Sequence, residues 1–332
     1  MKKKYQNGFF IFGLAVLAVM VTQLDFAEVA AGLSRAGYWF FAVIALWGFL
    51  YVFNAATWYI IIKSGAEKNT KINFLWLYKI TVSGFALNYA TPGGLMGGEP
   101  YRIMSVAPIV GTERASSSVI LYAMTHIFSH FLFWLLSVFL FLLTEPVNLF
   151  MGMLLSLVGA FCLLGIWFFI KGYRKGMAVR LMNVVRHLPG LKNWAHGFIC
   201  RHEEQLSNID CQIAALHKQN KRSFVAAVTL ELACRVVSAL EIMFILLVVM
   251  PEVSFVRCIL ILAFTSLFAN LLFFLPLQLG GREGGFLMSA AGLSMSAGTG
   301  IFVALIVRIR ELIWTAIGLL MIKFEKKHER KG

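Results

Sequence analysis

Residues 88–102 read Asn88-Tyr89-Ala90-Thr91-Pro92-Gly93-Gly94-Leu95-Met96-Gly97-Gly98-Glu99-Pro100-Tyr101-Arg102. This stretch lies inside apolar sequence, where glycines, prolines and charges are expected to be scarce. Pro92 and Pro100 each lack a backbone donor, and the four glycines weaken helical structure further. At membrane depth, backbone that is not helical is stable only when it is buried in protein or lines a wet cavity. The stretch therefore predicts a helix broken inside the membrane, beside a polar site.

A second stretch has the same design. Residues 276–285 read Pro276-Leu277-Gln278-Leu279-Gly280-Gly281-Arg282-Glu283-Gly284-Gly285. In both stretches a Gly-Gly pair follows the proline, and a glutamate comes seven residues after that proline. We assign the two turns to Pro92, Gly93, Gly94, Gly97, Gly98, Pro276, Gly280, Gly281 and Gly284.

The composition is that of a polytopic membrane protein, with a mean hydropathy of +0.78, 59% apolar residues and 14% charged residues. The net charge of +14 does not indicate nucleic-acid binding, because the basic residues collect between the apolar runs. A run of about 20 apolar residues can cross a bilayer. Six runs are long enough, near 8–24, 38–62, 115–143, 147–170, 223–250 and 300–322. We expect the first to be a retained span rather than a cleaved signal peptide.

Two further apolar regions, 72–112 and 254–298, contain the glycine motifs, and each predicts a re-entrant pair of helices that returns to its starting side. Charge supports this layout. With a cytoplasmic N-terminus, the inner segments hold 21 Lys and Arg, and the outer segments hold only Arg35 and Arg257. The predicted fold is therefore an all-α polytopic membrane protein with about six full spans and two re-entrant pairs. It forms one domain over 1–332, in a prokaryotic inner membrane with both termini cytoplasmic.

The two halves of the chain match at one offset. Pro92 falls on Pro276, and Glu99 falls on Glu283, when the numbering is shifted by 184. The same shift lays the span that begins near residue 38 on the one that begins near 223. Because the overlaid spans run in opposite directions, the pattern predicts an inverted-topology repeat with a site near the midplane.

Residues 171–222 are the one sizeable polar segment. Apolar residues recur there at helical spacing among basic residues, and Pro189-Gly190 separates two such patterns. We predict two interfacial amphipathic helices that meet anionic inner-leaflet lipid or simply anchor the topology.

Charged side chains at the bilayer centre cost about 2.5–3.5 kcal/mol each on insertion scales. This chain carries several, and we predict that they line a cavity for a lipid headgroup. The candidate headgroup residues are Glu99, Arg102, Arg282, Glu283, Arg308, Arg310 and Glu311. The arginines suit phosphate, since a guanidinium binds it with two parallel hydrogen bonds. The two turn glutamates suit an amine, sugar hydroxyls, or a proton or cation. The alternative is that these acids and bases pair with each other and fix the helices.

Shorter spacings give local predictions. Glu231 and Arg235 are four apart on one helix face and can pair. Asn88 is expected to cap backbone groups freed at its turn, as is Asn270. His126 and His130 also lie four apart, but no third metal ligand is evident, so packing or cavity lining is expected.

These motifs resemble those of the lysylphosphatidylglycerol synthase transmembrane region, a broad flippase-like family. The resemblance rests on Pro92 to Glu99 and on Pro276 to Gly284, and covers about 8–322. It implies re-entrant helices, a lipid-facing cavity and movement of lipids or lipid-linked glycans between leaflets. Full-length synthases add a C-terminal aminoacyl-transfer domain. This chain ends soon after its last span, so lysyl transfer by it alone is not expected.

The leading hypothesis is a lipid translocase that takes a phospholipid or a polyprenyl-linked glycan, with no cofactor, no metal and no catalytic role. The absence of a Walker motif argues against ATP as the driver. Three alternatives stay open: an accessory protein of a lipid-modifying or cell-envelope partner, an intramembrane enzyme acting on a lipid carrier, and a small-solute carrier. The lipid and the oligomeric state, homo-oligomers included, are open as well.

Overall fold

The computed structural model describes residues 3–22, 25–64, 71–90, 97–175, 221–271, 281–293 and 295–324. Eleven helices and no strand occur in those ranges, which confirms the all-α class for them. The helices are α1 (Lys3–Thr22), α2 (Phe26–Ala36), α3 (Tyr38–Lys63), α4 (Phe74–Ala90), α5 (Gly98–Val110), α6 (Thr112–Thr144), α7 (Leu149–Lys175), α8 (Lys221–Leu246), α9 (Phe255–Leu271), α10 (Gly281–Gly292) and α11 (Ala297–Lys323).

Each of the six predicted spans overlaps one helix: α1, α3, α6, α7, α8 or α11. By length and composition, three of the described helices can cross a membrane: Tyr38–Ser64, Thr112–Thr144 and Leu149–Ile170. Two shorter apolar helices cover Tyr5–Val19 and Phe255–Leu271. These helices fit a polytopic membrane protein, and the count of full spans stays a prediction.

Both motif regions contain two short helices instead of one long helix. In the first region, α4 has 17 residues and α5 has 13. In the second region, α9 has 17 residues and α10 has 12. The turn residues Pro92, Gly93, Gly94, Pro276 and Gly280 lie outside the described residues. Gly97 directly precedes α5, which Gly98 begins, and Gly281 begins α10.

The helix starts correspond between the two halves of the chain. The helices α3, α4, α5 and α6 begin at Tyr38, Phe74, Gly98 and Thr112, and their counterparts α8, α9, α10 and α11 begin at Lys221, Phe255, Gly281 and Ala297. Each of the four differences in numbering is within three positions of the offset that the motifs predict. The agreement therefore covers four consecutive helices.

The helices α3 and α8 pack against each other and run antiparallel. Trp39 near the start of α3 stacks on Phe244 near the end of α8, with ring centroids 5.3 Å apart. Midway along both helices, Cys234 Sγ donates to the carbonyl oxygen of Leu50 at 3.6 Å, and the numbers of these two residues differ by 184. Residues that correspond under the offset therefore touch each other at the centre of this interface.

A second pair of contacts obeys the same offset. The helices α4 and α11 pack closely where Gly318 faces the backbone of Val82. The corresponding helices α9 and α6 meet where Trp134 Nε1 donates to Ser266 Oγ at 2.9 Å. The offset lays Val82 on Ser266 and Trp134 on Gly318. The two halves thus use corresponding helices for their mutual contacts.

The short helix α2 is a feature that sequence reasoning missed, because residues 25–37 were expected to be only an outer segment. Its start carries a local signal. The Asp25 carboxylate accepts from the backbone N–H groups of Ala27 and Glu28 at 2.9 and 3.2 Å, which caps the helix.

The predicted interfacial helices of 171–222 fall largely on residues 176–220, which lie outside the described part of the chain. That assignment stays a prediction.

Candidate functional site

Arg102 on α5 is enclosed by aromatic side chains, with only 2% of its side chain exposed. Its guanidinium carbon lies 4.6 Å from the ring centre of Phe85, 5.3 Å from that of Tyr122 and 5.9 Å from that of Trp58. Arg102 Nη2 donates to the carbonyl oxygen of Thr81 at 3.3 Å. These contacts are cation–π interactions, which are strongest where water is excluded. In this conformation, groups of the protein surround the guanidinium that was predicted to contact phosphate.

Room for this guanidinium comes from Gly84 on α4. A Cβ at that position would lie 2.9 Å from the guanidinium carbon of Arg102. Any larger residue at Gly84 would therefore push the arginine out of the cage formed by Phe85, Tyr122 and Trp58, which we call the aromatic cage.

Glu99 lies beside the aromatic cage, and its two carboxylate oxygens have different surroundings. Its Oε1 accepts from Asn88 Nδ2 at 2.9 Å and lies 3.6 Å from Arg102 Nη1. Its Oε2 is buried and has no hydrogen-bond partner among the residues that the structure describes. A buried acceptor without a partner is costly, so this oxygen is the atom of the turn best placed to accept from a ligand amine or hydroxyl.

The predicted capping role of Asn88 is confirmed. Asn88 Oδ1 accepts from the backbone N–H of Gly98, the first residue of α5, at 2.6 Å. One side chain thus ties the end of α4 to the start of α5 and orients Glu99. Asn270 differs, because its Nδ2 donates to the carbonyl oxygen of Ser266 within its own helix.

We expect Asn88→Ala to lower the free energy of unfolding by about 1–3 kcal/mol, since the buried N–H of Gly98 loses its partner. Asn270→Ala is the matched control. That side chain is exposed and its bond among the described residues lies within α9, so its loss should change stability by less than about 0.5 kcal/mol. Denaturant unfolding of both variants in detergent measures the difference. Equal stabilities would contradict the capping role.

A second charged group joins α8 to α11. Arg310 donates from Nε and Nη2 to the two oxygens of Glu241 at 2.8 and 3.1 Å, a bidentate pair. The two side chains are 5% and 2% exposed. Glu311 Oε1 lies 3.6 Å from Arg310 Nη1. Arg310, which was predicted to contact a headgroup, is thus paired with acids in this conformation, as the alternative of mutual pairing describes.

A row of aromatic rings lies between Arg102 and Arg310. The ring centre of Tyr51 is 5.5 Å from that of Phe85 and 5.7 Å from that of Trp47. Phe85 contacts Arg102, and the guanidinium carbon of Arg310 lies 3.8 Å from the Trp47 ring centre. The two arginines predicted to share a headgroup site are therefore at opposite ends of this row.

A third charged group joins α6 to α8, and here the predicted pairing was wrong. Glu231 does not pair with Arg235. Its Oε2 contacts His126 Nδ1 at 2.8 Å. Arg235 instead donates to Ser129 Oγ at 2.6 Å and to the carbonyl oxygen of His126 at 2.7 Å. The turn-to-turn spacing allows the Glu231–Arg235 pair, but acceptors on the neighbouring helix α6 lie closer.

His126 and His130 pack edge to face, with ring centroids 5.5 Å apart. Within the ranges that the structure describes, no group of three or more His, Cys, Asp or Glu side chains is placed to hold a metal ion.

The remaining predicted residues are placed as follows. Arg282 and Glu283 lie in α10 by their backbone, but their side chains are outside the described part. Gly284 lies in the same helix with open space where a Cβ would project. Arg308 is half-buried on α11. The structure thus brings Glu99 to Arg102 and Arg310 to Glu311.

A cavity of about 670 Å³ lies at the C-terminal end of α6. It is partly open and partly polar, and an ion pair forms part of its wall: Arg257 Nε donates to Glu145 Oε1 at 2.7 Å. Three methionines face the same space: Met151, Met250 and Met295. The cavity therefore offers apolar and charged walls to one occupant.

The comparisons with known proteins agree with this architecture. A family model described as "Lysylphosphatidylglycerol synthase TM region" matches residues 8–318. Neither the curated proteins nor the solved structures contain a match. The matched residues cover nearly the whole chain and include both glycine motifs, all eleven described helices in whole or in part, and the three charged groups. The chain belongs to the Lysylphosphatidylglycerol synthase TM region family.

Proposed function

We propose that this chain is a lipid translocase of a prokaryotic inner membrane, with both termini in the cytoplasm. The observation that carries the proposal is the enclosure of three charged groups between apolar membrane helices: Glu99 with Arg102, Glu241 with Arg310, and His126 with Glu231. A protein that only spans a bilayer has no need of so many costly charges. A polar path for a headgroup accounts for them, while the acyl or prenyl tails stay in the bilayer.

The two halves would form an inverted-topology repeat around this path, with α4–α5 and α9–α10 as re-entrant pairs. Several observations support this arrangement: the common offset of the helix starts, the antiparallel contact of α3 with α8, and the corresponding contacts Val82–Gly318 and Trp134–Ser266. Rocking of such halves about a central site is how known transporters of this design alternate their access.

The headgroup would bind at the first turn. The free Oε2 of Glu99 suits an amine or a sugar hydroxyl, and Arg102 would leave the aromatic cage to bind phosphate when the halves move. Glu283 and Arg282 would supply the second turn, and Arg308 and Glu311 the wall on α11. The cavity beside Glu145 would receive the lipid on the outer side. Residues 171–222 would hold anionic inner-leaflet lipid.

Mass spectrometry of lipid that copurifies with the protein tests this proposal. We expect selective enrichment of one phospholipid or polyprenyl-linked glycan, and its loss from the Glu99→Gln/Glu283→Gln variant. The matched control is Glu28→Gln/Glu252→Gln, which makes the same change of charge at two exposed positions and should retain the lipid. Equal amounts of bulk membrane lipid in all three proteins would overturn the headgroup site.

Other outcomes would favour the alternatives. Hydrolysis or group transfer on a lipid carrier by the purified protein would indicate an enzyme. Full function of the Glu99→Gln/Glu283→Gln variant, with loss of function on removal of 171–222, would indicate an accessory protein. Solute uptake without lipid movement would indicate a small-solute carrier.

A further inference from the structure

The contact between His126 and Glu231 joins the two halves of the chain. His126 lies on α6 in the first half and Glu231 on α8 in the second half. Their side chains meet at 2.8 Å, and Glu231 is 1% exposed, deep within apolar helices. When His126 is protonated the contact is a buried ion pair, and neutralising the Glu231 carboxylate then leaves the imidazolium buried and uncompensated.

The two halves also meet at a second contact, which corresponds to this one under the offset and in which the charged group is an arginine. Under the offset that relates the two halves, His126 corresponds to Arg310 and Trp47 corresponds to Glu231. Arg310 lies over the Trp47 ring, as His126 lies against Glu231. Two equivalent positions therefore join the halves, one through an arginine that stays protonated and one through a histidine and a carboxylate that can both exchange protons.

We propose that the His126–Glu231 pair is a proton-binding site, and that protonation of Glu231 releases α6 from α8 and couples proton movement to lipid movement. The coupling rests on the proposed function, because it needs two halves that move. The proton enters as the second substrate of the same transport cycle. It adds to the carboxylate in one conformation and leaves from it in the other, so that one proton crosses for each cycle.

One oxygen of the Glu231 carboxylate is available to accept the proton. Glu231 Oε1 is buried and makes no hydrogen bond within the described part of the chain, so it is the carboxylate oxygen that can take up a proton. The His126 imidazole is 29% exposed, and we infer that protons reach the pair along this side. Because Arg235 donates to Ser129 and to the His126 carbonyl oxygen, it does not hold the carboxylate in its charged form by direct contact.

Five other groups that titrate or carry charge lie near the pair in the described part of the chain. On α6, the Tyr122 hydroxyl donates to Asn54 at 3.1 Å, and His130 packs on His126. On α8, Cys234 donates to the Leu50 carbonyl oxygen, and Arg235 makes the bonds described above. On α5, Arg102 is held in the aromatic cage. On α3 and α4 the nearest neighbours, Asn54 and Phe85, do not titrate.

The test uses the full chain in proteoliposomes that contain the copurifying lipid in fluorescent form. With a pH difference of about one unit, one proton per lipid is expected to hold a lipid asymmetry of about tenfold between leaflets, because about 1.4 kcal/mol corresponds to a factor of ten. A pH dye inside the vesicles should report proton flux that starts when lipid moves. Reversal of the gradient should reverse the asymmetry.

Glu231→Gln should abolish both the asymmetry and the proton flux while slow, symmetric lipid movement continues. His126→Gln removes the partner rather than the acceptor, and it serves as a second variant where Glu231→Gln folds poorly. Glu252→Gln is the matched control, because it makes the same change of charge at an exposed glutamate outside the cavity wall, and it should behave as the unmodified protein.

Two failures are distinguishable. Lipid movement that is symmetric and independent of the gradient in the unmodified protein would overturn the proton site and leave the translocase proposal standing. Absence of lipid movement at every pH would overturn the translocase proposal and the coupling with it.

Discussion

Gly98→Ala is expected to lower the free energy of unfolding by about 3 kcal/mol or more, so that little folded protein is recovered. Gly98 begins α5 and lies against the backbone of Gly84 on α4. An added Cβ would overlap the Gly84 carbonyl oxygen and lie 2.7 Å from its carbonyl carbon. A backbone atom cannot rotate away as a side chain does, so the two helices would have to separate. That separation would also break the bond from Gly98 N–H to Asn88.

Gly284→Ala is the matched control, since Gly284 lies in α10 of the second motif and no described neighbour comes within 4 Å of the position its Cβ would take. Replacing a helical glycine with alanine raises helix propensity, so this variant should be unchanged or more stable by up to about 1 kcal/mol. Size-exclusion profiles after detergent extraction and thermal unfolding measure both variants. A Gly98→Ala protein that elutes and melts normally would contradict the close crossing of α4 and α5.

Glu241→Leu is expected to lower the free energy of unfolding by about 3–5 kcal/mol, because it leaves the buried Arg310 guanidinium without its bidentate partner. Glu311 lies 3.6 Å from Arg310, too far to replace two short hydrogen bonds without a change of rotamer. Because Arg310 stacks on Trp47, we expect its guanidinium to stay buried at this site after the substitution, so the penalty of an unpaired buried charge remains in full.

The double variant Glu241→Leu/Arg310→Met should regain most of that stability, since apolar pairs of similar size often replace buried ion pairs without loss. Glu145→Leu is the control, because its partner Arg257 is 46% exposed and stays hydrated, so the loss should stay below about 1 kcal/mol. Denaturant titrations in detergent measure all three. A double variant as unstable as Glu241→Leu would show that the pair has a role beyond mutual neutralisation.

Local features of this fold could be predicted from the sequence. Apolar runs marked the long helices, and prolines with glycines marked where α4 and α9 end. The capping role of Asn88 was also predictable, since its acceptor and the N–H that it caps lie ten residues apart on one turn. Asp25, with Glu28 three residues later, carried an equivalent capping signal for α2 that sequence reasoning did not use.

Contacts between distant helices could not be predicted in the same way. His126 and Glu231 are 105 residues apart, and no spacing within one helix relates them. Arg235 satisfied the i, i+4 rule for Glu231, but that rule ranks partners on one helix surface and does not consider a neighbouring helix. The aromatic cage of Arg102 draws on three different helices, α3, α4 and α6, so only their packing brings it together.

In the described part of the second half, the position that corresponds to Arg102 holds no cation. Residue 102 corresponds to residue 286 under the offset, and that position is a buried phenylalanine, Phe286. Two identical halves that exchanged conformations would populate their two end states equally, because the exchange turns one state into the other. Here the two halves differ at this position, a caged arginine against a phenylalanine, so the two end states of the proposed translocase would differ in free energy. We therefore expect the proposed translocase to have a resting orientation, favoured by this arginine and the rings around it.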